Sequence, residues 1–371
     1  SYDDIVKEGK NKICQSISEL LNHDNKKIIL PITSGLDSRI LLGGLLENVS
    51  SDKITTLTWG IPEGIDCRVG AMISKKLGIK HHLMSLKDYQ LTEKRLIDFA
   101  VASDFSVPLF DHWPKDWVKD LVNNEDGELW MGLLGGTISG SNLPKSQAEN
   151  PYTYFLNSNK RINSLSSVSY ALLGEKPTAN DLKTLTDYLT EPSIDSLDIQ
   201  LHHIDLISPT KIHNDFNYAL PFANREVIAY FLSLPFELRK GRGVFKDIIL
   251  QHFSELGKFP SNRNGGMSLS IVGRKKSILK KIQFLGLKNY NYSGNGKYLS
   301  LTNYLGNEQM ELYLKEKLSR ISDRNFFYNH TLEVLIYEFF SHKNNFVNHS
   351  RVIDALVSLE LFCDYLYNNE K

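Results

Sequence analysis

Hydroxyl, amide and carboxylate groups are concentrated in one short loop near the start of the chain. Thr33, Ser34 and Gly35 follow an apolar, β-branched run at residues 28–32, and Asp37 opens a helix-like pattern. A strand that leads into a helix through such a turn leaves backbone N–H groups free at the positive end of the helix dipole. The arrangement favours an anion, above all a phosphate. An ordinary strand-to-helix turn is the alternative, because short motifs also occur by chance.

The chemistry of the loop indicates which kind of phosphate it would take. It lacks the Gly-Lys-Ser/Thr ending of a P-loop, so no lysine is placed to neutralise the β- and γ-phosphates of a nucleotide that is cleaved between them. Its hydroxyls, backbone amides and one carboxylate suit a pyrophosphate that shares a Mg²⁺ ion, because magnesium is usually held by one or two carboxylates and phosphate oxygens. Asp37 is therefore predicted to be a metal ligand.

Strand and helix patterns alternate around this loop. Strands are predicted at residues 28–32, 54–59, 80–86 and 128–134, and helices at 5–21, from 37 onward and at 66–77, the last closed by Gly78. This spacing predicts a parallel sheet with right-handed crossovers. The loops after the first and fourth strands then share the edge where such sheets bind ligands. We therefore expect Gly132–Gly140 to lie opposite Thr33–Ser38.

The composition changes beyond Pro144, where strand signals fade. Helices are predicted at residues 224–234, 244–253, 309–318, 332–340 and 352–366. The expected organisation is an α/β domain at residues 1–146 followed by a mainly helical region at 147–371.

Composition and charge limit the possible partners and the compartment. The chain has 371 residues, 41% of them hydrophobic, with 43 basic and 43 acidic residues. Without a net charge the chain offers no overall field that would attract nucleic acid or an anionic membrane. Three cysteines without a CxxC pair indicate neither a disulfide framework nor a zinc site. We expect a cytoplasmic protein, since the sequence has no membrane span and no signal peptide. Because it begins with Ser1, we also expect a processed or excised chain.

Four segments resemble, in order, motifs of the asparagine synthetase family, whose synthetase domain is an ATP pyrophosphatase. Residues 33–38 (TSGLDS) are similar to the SGGLDS pyrophosphate loop, and Thr58–Gly60 (TWG) is similar to the TFG segment. Gly132–Gly140 resembles the GxGGDExxxG stretch. The segment from Pro221 to Lys246 resembles the PFLDxxxxxxxxxLP…K pattern. The resemblance spans roughly residues 2–260, and four weak motifs in order are more specific than one alone.

The resemblance implies a fold and a function. The fold would be a parallel sheet of the ATP-pyrophosphatase type, similar to the adenine nucleotide alpha hydrolases. The activity would be ATP-dependent adenylation of a carboxylate, with ATP and Mg²⁺ as cofactors, followed by transfer to an amine and release of AMP and pyrophosphate. Lys246 would be the catalytic residue that stabilises charge near the α-phosphate, although a lysine in the first turn of a helix is usually just solvated. The implied cofactor-binding residues are Ile32, Thr33, Ser34, Gly35, Leu36, Asp37, Ser38, Thr58, Trp59, Gly60 and Gly132.

The sequence also departs from the family pattern. Gly136 and Thr137 replace the aspartate and glutamate of GGDE, and Asn217 replaces the acid ahead of the PF segment. Asp104 or Asp111 would have to supply a substitute carboxylate. A catalytically weakened ATP-binding or scaffolding homologue is therefore the alternative function. A tRNA-modifying ATP pyrophosphatase, using the basic run at residues 274–281, is disfavoured by the neutral charge.

The N-terminal glutaminase domain of asparagine synthetases has no counterpart ahead of the loop, which lies about thirty residues into the chain. The resemblance therefore implies a separate partner that supplies ammonia or an amine. The acyl substrate would be a small-molecule or peptide carboxylate. Nucleic acid and membrane are not expected as partners. A metal site at the paired histidines, His81-His82 and His202-His203, is disfavoured because adjacent side chains on a strand point to opposite faces.

Overall fold

The computed structural model describes residues 1–21, 26–90, 92–102, 114–144, 146, 150–158, 178–190, 192–207, 216–271, 308–341 and 347–369. The chain divides into two compact units. The first contains Ser1–Tyr89, Pro114–Lys145 and Asn214–Tyr298, and the second contains Gln90–Trp113, Ser146–His213 and Leu299–Lys371. The predicted carboxylates Asp104 and Asp111 and the basic run at residues 274–281 lie outside the described residues.

A parallel sheet forms the centre of the first unit. Its strands are β1 (Lys27–Pro31), β2 (Ile54–Gly60), β3 (Lys80–Ser85), β4 (Gly127–Trp130) and β5 (Tyr218–Ala219). They lie in the order β3-β2-β1-β4-β5, with every pairing parallel. A separate antiparallel pair joins β6 (Pro260–Ser261) to β7 (Met267–Ser268). The predicted α/β class with a parallel sheet is confirmed.

Helices account for most of the remaining described structure. In chain order they are α1 (Tyr2–Leu21), α2 (Asp37–Asn48), α3 (Ile65–Leu77), α4 (Glu93–Ala102), α5 (Lys115–Asn124), α6 (Gly135–Ile138), α7 (Pro151–Ser158), α8 (Ala179–Leu185), α9 (Ile194–Leu197), α10 (Arg225–Ser233), α11 (Phe236–Arg239), α12 (Gly243–His252), α13 (Ser254–Gly257), α14 (Glu308–Asp323), α15 (Asn329–Ser341) and α16 (Val347–Asn369). None of these helices combines the length and the apolar composition that a membrane crossing needs.

Capping residues mark where two of the helices end or begin. Gly78 follows α3 with φ +67°, a left-handed conformation that glycine adopts without strain. Asn224 precedes α10 and its side-chain oxygen accepts from the Glu226 N–H at 2.8 Å, as an N-cap does. Both boundaries agree with the sequence prediction.

The core of the first unit is built around the central strand. Ile29 and Leu30 of β1 are fully buried, since the strand lies in the middle of the sheet. Helices α1, α2 and α12 pack against one another. Gly43 permits the close approach of α2, because a methyl group there would lie 2.5 Å from the Phe253 ring. The sheet and this helical layer together hold α2, and the loop ahead of it, in place.

The structure differs from the sequence prediction after the fourth strand. β4 ends at Trp130 instead of residue 134, because the chain turns there and Leu134 adopts a left-handed φ of +67°. β5 is a further parallel strand of only two residues, too short to leave a periodic pattern. Contacts place the described residues 216–271 with the sheet, whereas the sequence assigned them to the mainly helical region at 147–371.

Candidate phosphate-binding site

Side chains of the first unit hold the loop between β1 and α2 in one conformation. The Ser38 hydroxyl accepts from the Thr33 N–H at 3.2 Å, and the Thr33 hydroxyl accepts from the Gly35 N–H at 3.1 Å. Ser34 donates both its N–H, at 3.0 Å, and its hydroxyl to Asp66 of α3. Ser34 stands where the family pattern has glycine, and it keeps φ below zero, so the exchange introduces no strain.

The N-terminus of α2 lies directly beyond this loop. Leu36 is its N-cap residue and provides no side-chain cap. N–H groups at the start of a helix carry partial positive charge. The Asp37 carboxylate in the first turn forms an ion pair with the Arg242 guanidinium.

Arg242 is fixed in position from several sides. The residue is only 3% exposed and adopts φ +65°, which is uncommon outside glycine. Its Nε donates to the Ser139 hydroxyl at 2.7 Å, and its guanidinium lies 5.2 Å from the centre of the Phe245 ring. The side chain is therefore committed to this place instead of moving freely in solvent.

A cavity of about 310 Å³ opens beside Asp37. Its lining residues are Leu36, Ser141, Gly241, Arg242, Lys246, Arg263, Asn264 and Leu269. Three of them are basic and none is acidic. Cavities of about 300 Å³ and above hold small ligands, and the charge of this one favours an anion.

A short hairpin brings Arg263 to the cavity, since the residue lies in the turn between β6 and β7. Arg39 of α2, which is fully buried, fastens this hairpin to the loop. Its guanidinium donates to the carbonyl oxygens of Phe259 at 3.1 Å, of Pro260, and of Ser34 at 3.2 Å. The Ser261 hydroxyl also donates to the Ser34 carbonyl, at 3.0 Å.

Burial changes the acidity of the guanidinium groups around the loop. It lowers the pKa of Arg39 to about 10, while the charge of Asp66 acts in the opposite direction. Burial also lowers the pKa of Arg263, and so does the charge of Arg242, against the opposing effect of Asp37. Positive charges are thus crowded at the cavity, and a bound anion would relieve their mutual repulsion.

The glycine turn after β4 packs against Asp37, as the predicted shared edge requires. A methyl group at Gly132 would lie 3.0 Å from the Asp37 Cβ, and one at Gly135 would lie 2.6 Å from its Oδ1. Gly140, with φ +84°, approaches the Arg239 carbonyl so closely that a methyl group would lie 2.5 Å from its oxygen. Any side chain larger than hydrogen at these glycines would displace Asp37 or the segment before Arg242.

The other residues that the resemblance implied lie near the same edge of the sheet. Lys246 lines the cavity together with Leu36. Ile32 is buried, and its carbonyl accepts from the Thr58 hydroxyl at 2.6 Å. Trp59 and Gly60 end the neighbouring strand β2 and do not line the cavity, so their predicted role in nucleotide binding stays a prediction.

Sequence reasoning missed Arg39, Asp66, Arg242 and Arg263. Arg242 lies four residues before Lys246, and Arg263 precedes the Gly265-Gly266 pair, so a basic residue in each segment was visible. The convergence of Arg242 and Arg263 on Asp37 was not visible, because it depends on contacts between residues more than 200 positions apart.

Among the described residues, the predicted Mg²⁺ ligand set is not complete. The Asp37 carboxylate pairs with Arg242, and Gly136 provides no second carboxylate. No group of three histidine, cysteine, aspartate or glutamate side chains suited to a metal ion occurs in the part of the chain that the structure describes.

Comparisons with known proteins give little further information. No protein-family model matches the chain, and the search of curated proteins finds no match. Among solved structures, the chain is similar to the U34-tRNA thiolase NcsA from Methanococcus maripaludis, solved with its [4Fe-4S] cluster. The sequence identity is 14%, and the match covers 70% of this chain and 82% of that chain with a TM-score of 0.26. A likeness of this strength carries no argument about function.

Proposed function

We propose that the protein binds ATP with its phosphates in the cavity at the N-terminus of α2. The observation that carries the proposal is the convergence of Arg242, Lys246 and Arg263 on the strand-to-helix loop, with no acidic residue lining the cavity. Fixed cations and helix N–H groups are the usual partners of phosphate. The end of a strand in a parallel sheet is also where nucleotides are commonly bound.

The proposed reaction is that of an asparagine synthetase-like, AMP-forming amide ligase. The carboxylate of a small molecule or peptide attacks the α-phosphorus of ATP, and pyrophosphate leaves. An amine then attacks the acyl carbon, and AMP leaves. Lys246 would hold charge that develops on phosphate oxygens during the first step. Support comes from the four ordered motifs and from the position of Lys246 on the cavity. The amine would come from a separate partner.

A catalytically weakened ATP-binding protein is the second candidate. Gly136 and the pairing of Asp37 with Arg242 favour it, because they leave the family's metal carboxylates missing or engaged. Binding of ATP is common to both candidates, so turnover is what separates them.

Exchange of pyrophosphate into ATP, tested with a panel of amino acids and peptides, distinguishes the candidates. For the ligase we expect exchange that falls by about a hundredfold or more in Lys246→Gln, the order of magnitude for one electrostatic donor. Lys258→Gln is the matched control, since Lys258 is exposed and pairs only locally with Glu255. ATP binding by calorimetry without exchange would favour the binding protein, and absence of ATP binding would overturn both.

A further inference from the structure

We infer that the cavity binds the pyrophosphate part of its ligand through Arg242, Lys246 and Arg263 in place of a divalent cation at Asp37. The inference rests on the phosphate binding in the proposed function and specifies how the negative charge is neutralised. Three observations carry it: the engagement of Asp37, the missing second carboxylate, and the charge balance of the cavity.

The Asp37 carboxylate is paired with Arg242, whose side chain has little freedom to move. Arg242 pairs with its carboxylate and is 3% exposed. The bond from Arg242 to Ser139 and the Phe245 ring beneath its guanidinium hold the side chain in place. A divalent cation on the same carboxylate would lie within a few ångströms of this guanidinium, where like charges repel strongly away from bulk water.

Position 136, where the family pattern has the second metal-binding carboxylate, has room for a side chain. A methyl group at Gly136 would make an ordinary contact, 3.4 Å from the hydroxyl of Ser141, and Ser141 lines the cavity. Gly136 also has no positive φ that would exclude a side chain. Sterics therefore do not explain the glycine, and a carboxylate can be reintroduced as a test.

The charge balance of the cavity suits an anion without a metal. Three cationic side chains and the single carboxylate of Asp37 leave an excess of two positive charges. Guanidinium groups bind phosphate oxygens through charge-assisted, often bidentate hydrogen bonds. This excess provides direct counter-charges for the oxygens of a pyrophosphate, without an intervening cation.

Calorimetric titration with inorganic pyrophosphate tests the inference. We expect saturable binding in excess EDTA, at least as tight as in millimolar Mg²⁺. Arg263→Gln should weaken binding by about tenfold or more, the loss of one charge-assisted contact, whereas Lys258→Gln should leave it unchanged. Near-UV circular dichroism of each variant checks that the fold is retained.

Gly136→Asp provides a second and opposite test. The added carboxylate should weaken pyrophosphate binding in EDTA, and Mg²⁺ should restore it, because a second acidic group gives a metal ion a place beside the phosphate. Binding by the unaltered protein only when Mg²⁺ is present would overturn this inference and leave the proposed function standing. Failure to bind pyrophosphate and ATP under both conditions would overturn both.

Discussion

Arg39 has a structural role, because it holds together the loop between β1 and α2 and the hairpin that carries Arg263. Its buried guanidinium donates to four backbone carbonyls, those of Ser34, Leu256, Phe259 and Pro260. In Arg39→Met these oxygens lose a charged donor, so we expect the free energy of unfolding to fall by roughly 2–4 kcal/mol. Urea denaturation measures the change. A loss below about 0.5 kcal/mol, the value for a surface position, would contradict this role.

The residues at the site show what a sequence can reveal and what it cannot. Asp37 and Lys246 were identifiable because each belongs to a local pattern, a strand-to-helix turn and a motif with fixed spacing. Arg242 was not, since its left-handed backbone and its ion pair follow from packing. The role of Asp37 as a metal ligand stays a prediction, and the structure adds that its carboxylate pairs with Arg242.

At the scale of helices, the placement of α2 depends on a glycine. Ala is favoured over Gly within a helix by about 1 kcal/mol, but a methyl group at Gly43 would lie 2.5 Å from the Phe253 ring. We expect Gly43→Ala to lower the free energy of unfolding by roughly 1–3 kcal/mol, the range for overpacking. Gly136→Ala is the matched control, and a stabilising Gly43→Ala would show that the ring moves aside without loss.

Strand β3 carries His81, from which we predict that the stability of the fold depends on pH. Burial, with a smaller effect from the charge of His82, lowers the pKa of His81 to about 4. The unfolded chain binds a proton near pH 6.5, so stability falls as the pH drops from about 6.5 toward 4. The Thr56 hydroxyl lies 3.1 Å from the His81 Nδ1. The substitution His81→Asn therefore removes the titrating ring and keeps a polar atom near this hydroxyl.

Urea denaturation at neutral pH and near pH 5 tests this dependence. We expect a smaller loss of stability on acidification in His81→Asn than in the unaltered protein. His82→Gln is the comparison variant, because burial also lowers the pKa of His82 and this side chain accounts for part of the remaining slope. An unchanged pH dependence in His81→Asn would show that His81 does not control it.

Elements were predictable from sequence in proportion to their length. The strands β1 to β3 and the helices between them follow clear periodic patterns, and their order required a parallel sheet. β5 contains two residues and joins the sheet only through its pairing with β4. The attachment of residues 216–271 to the sheet is likewise a long-range property that composition does not encode.

At the scale of the whole molecule, charge is balanced overall and concentrated locally. Equal numbers of basic and acidic residues give no net charge, while the cavity beside α2 has an excess of positive groups. A small polyanion needs only the cavity. A long one needs several phosphate contacts over a wide surface, and counterion release from those contacts provides most of its affinity.

This contrast predicts how the protein treats tRNA. In a filter-binding assay at physiological salt, we expect tRNA to bind with a dissociation constant of about 10⁻⁴ M or weaker, the weak end of non-specific binding. We expect pyrophosphate to bind in the same buffer. The measurement is a salt titration with both ligands. Micromolar tRNA binding, with an association constant whose logarithm falls steeply as the logarithm of the salt concentration rises, would reveal an extended basic surface. That result would favour the tRNA-modifying function. Weak tRNA binding together with saturable pyrophosphate binding would show that the positive charge for anion binding lies in the cavity and not on an extended surface. Arg242 and Arg263 supply this charge.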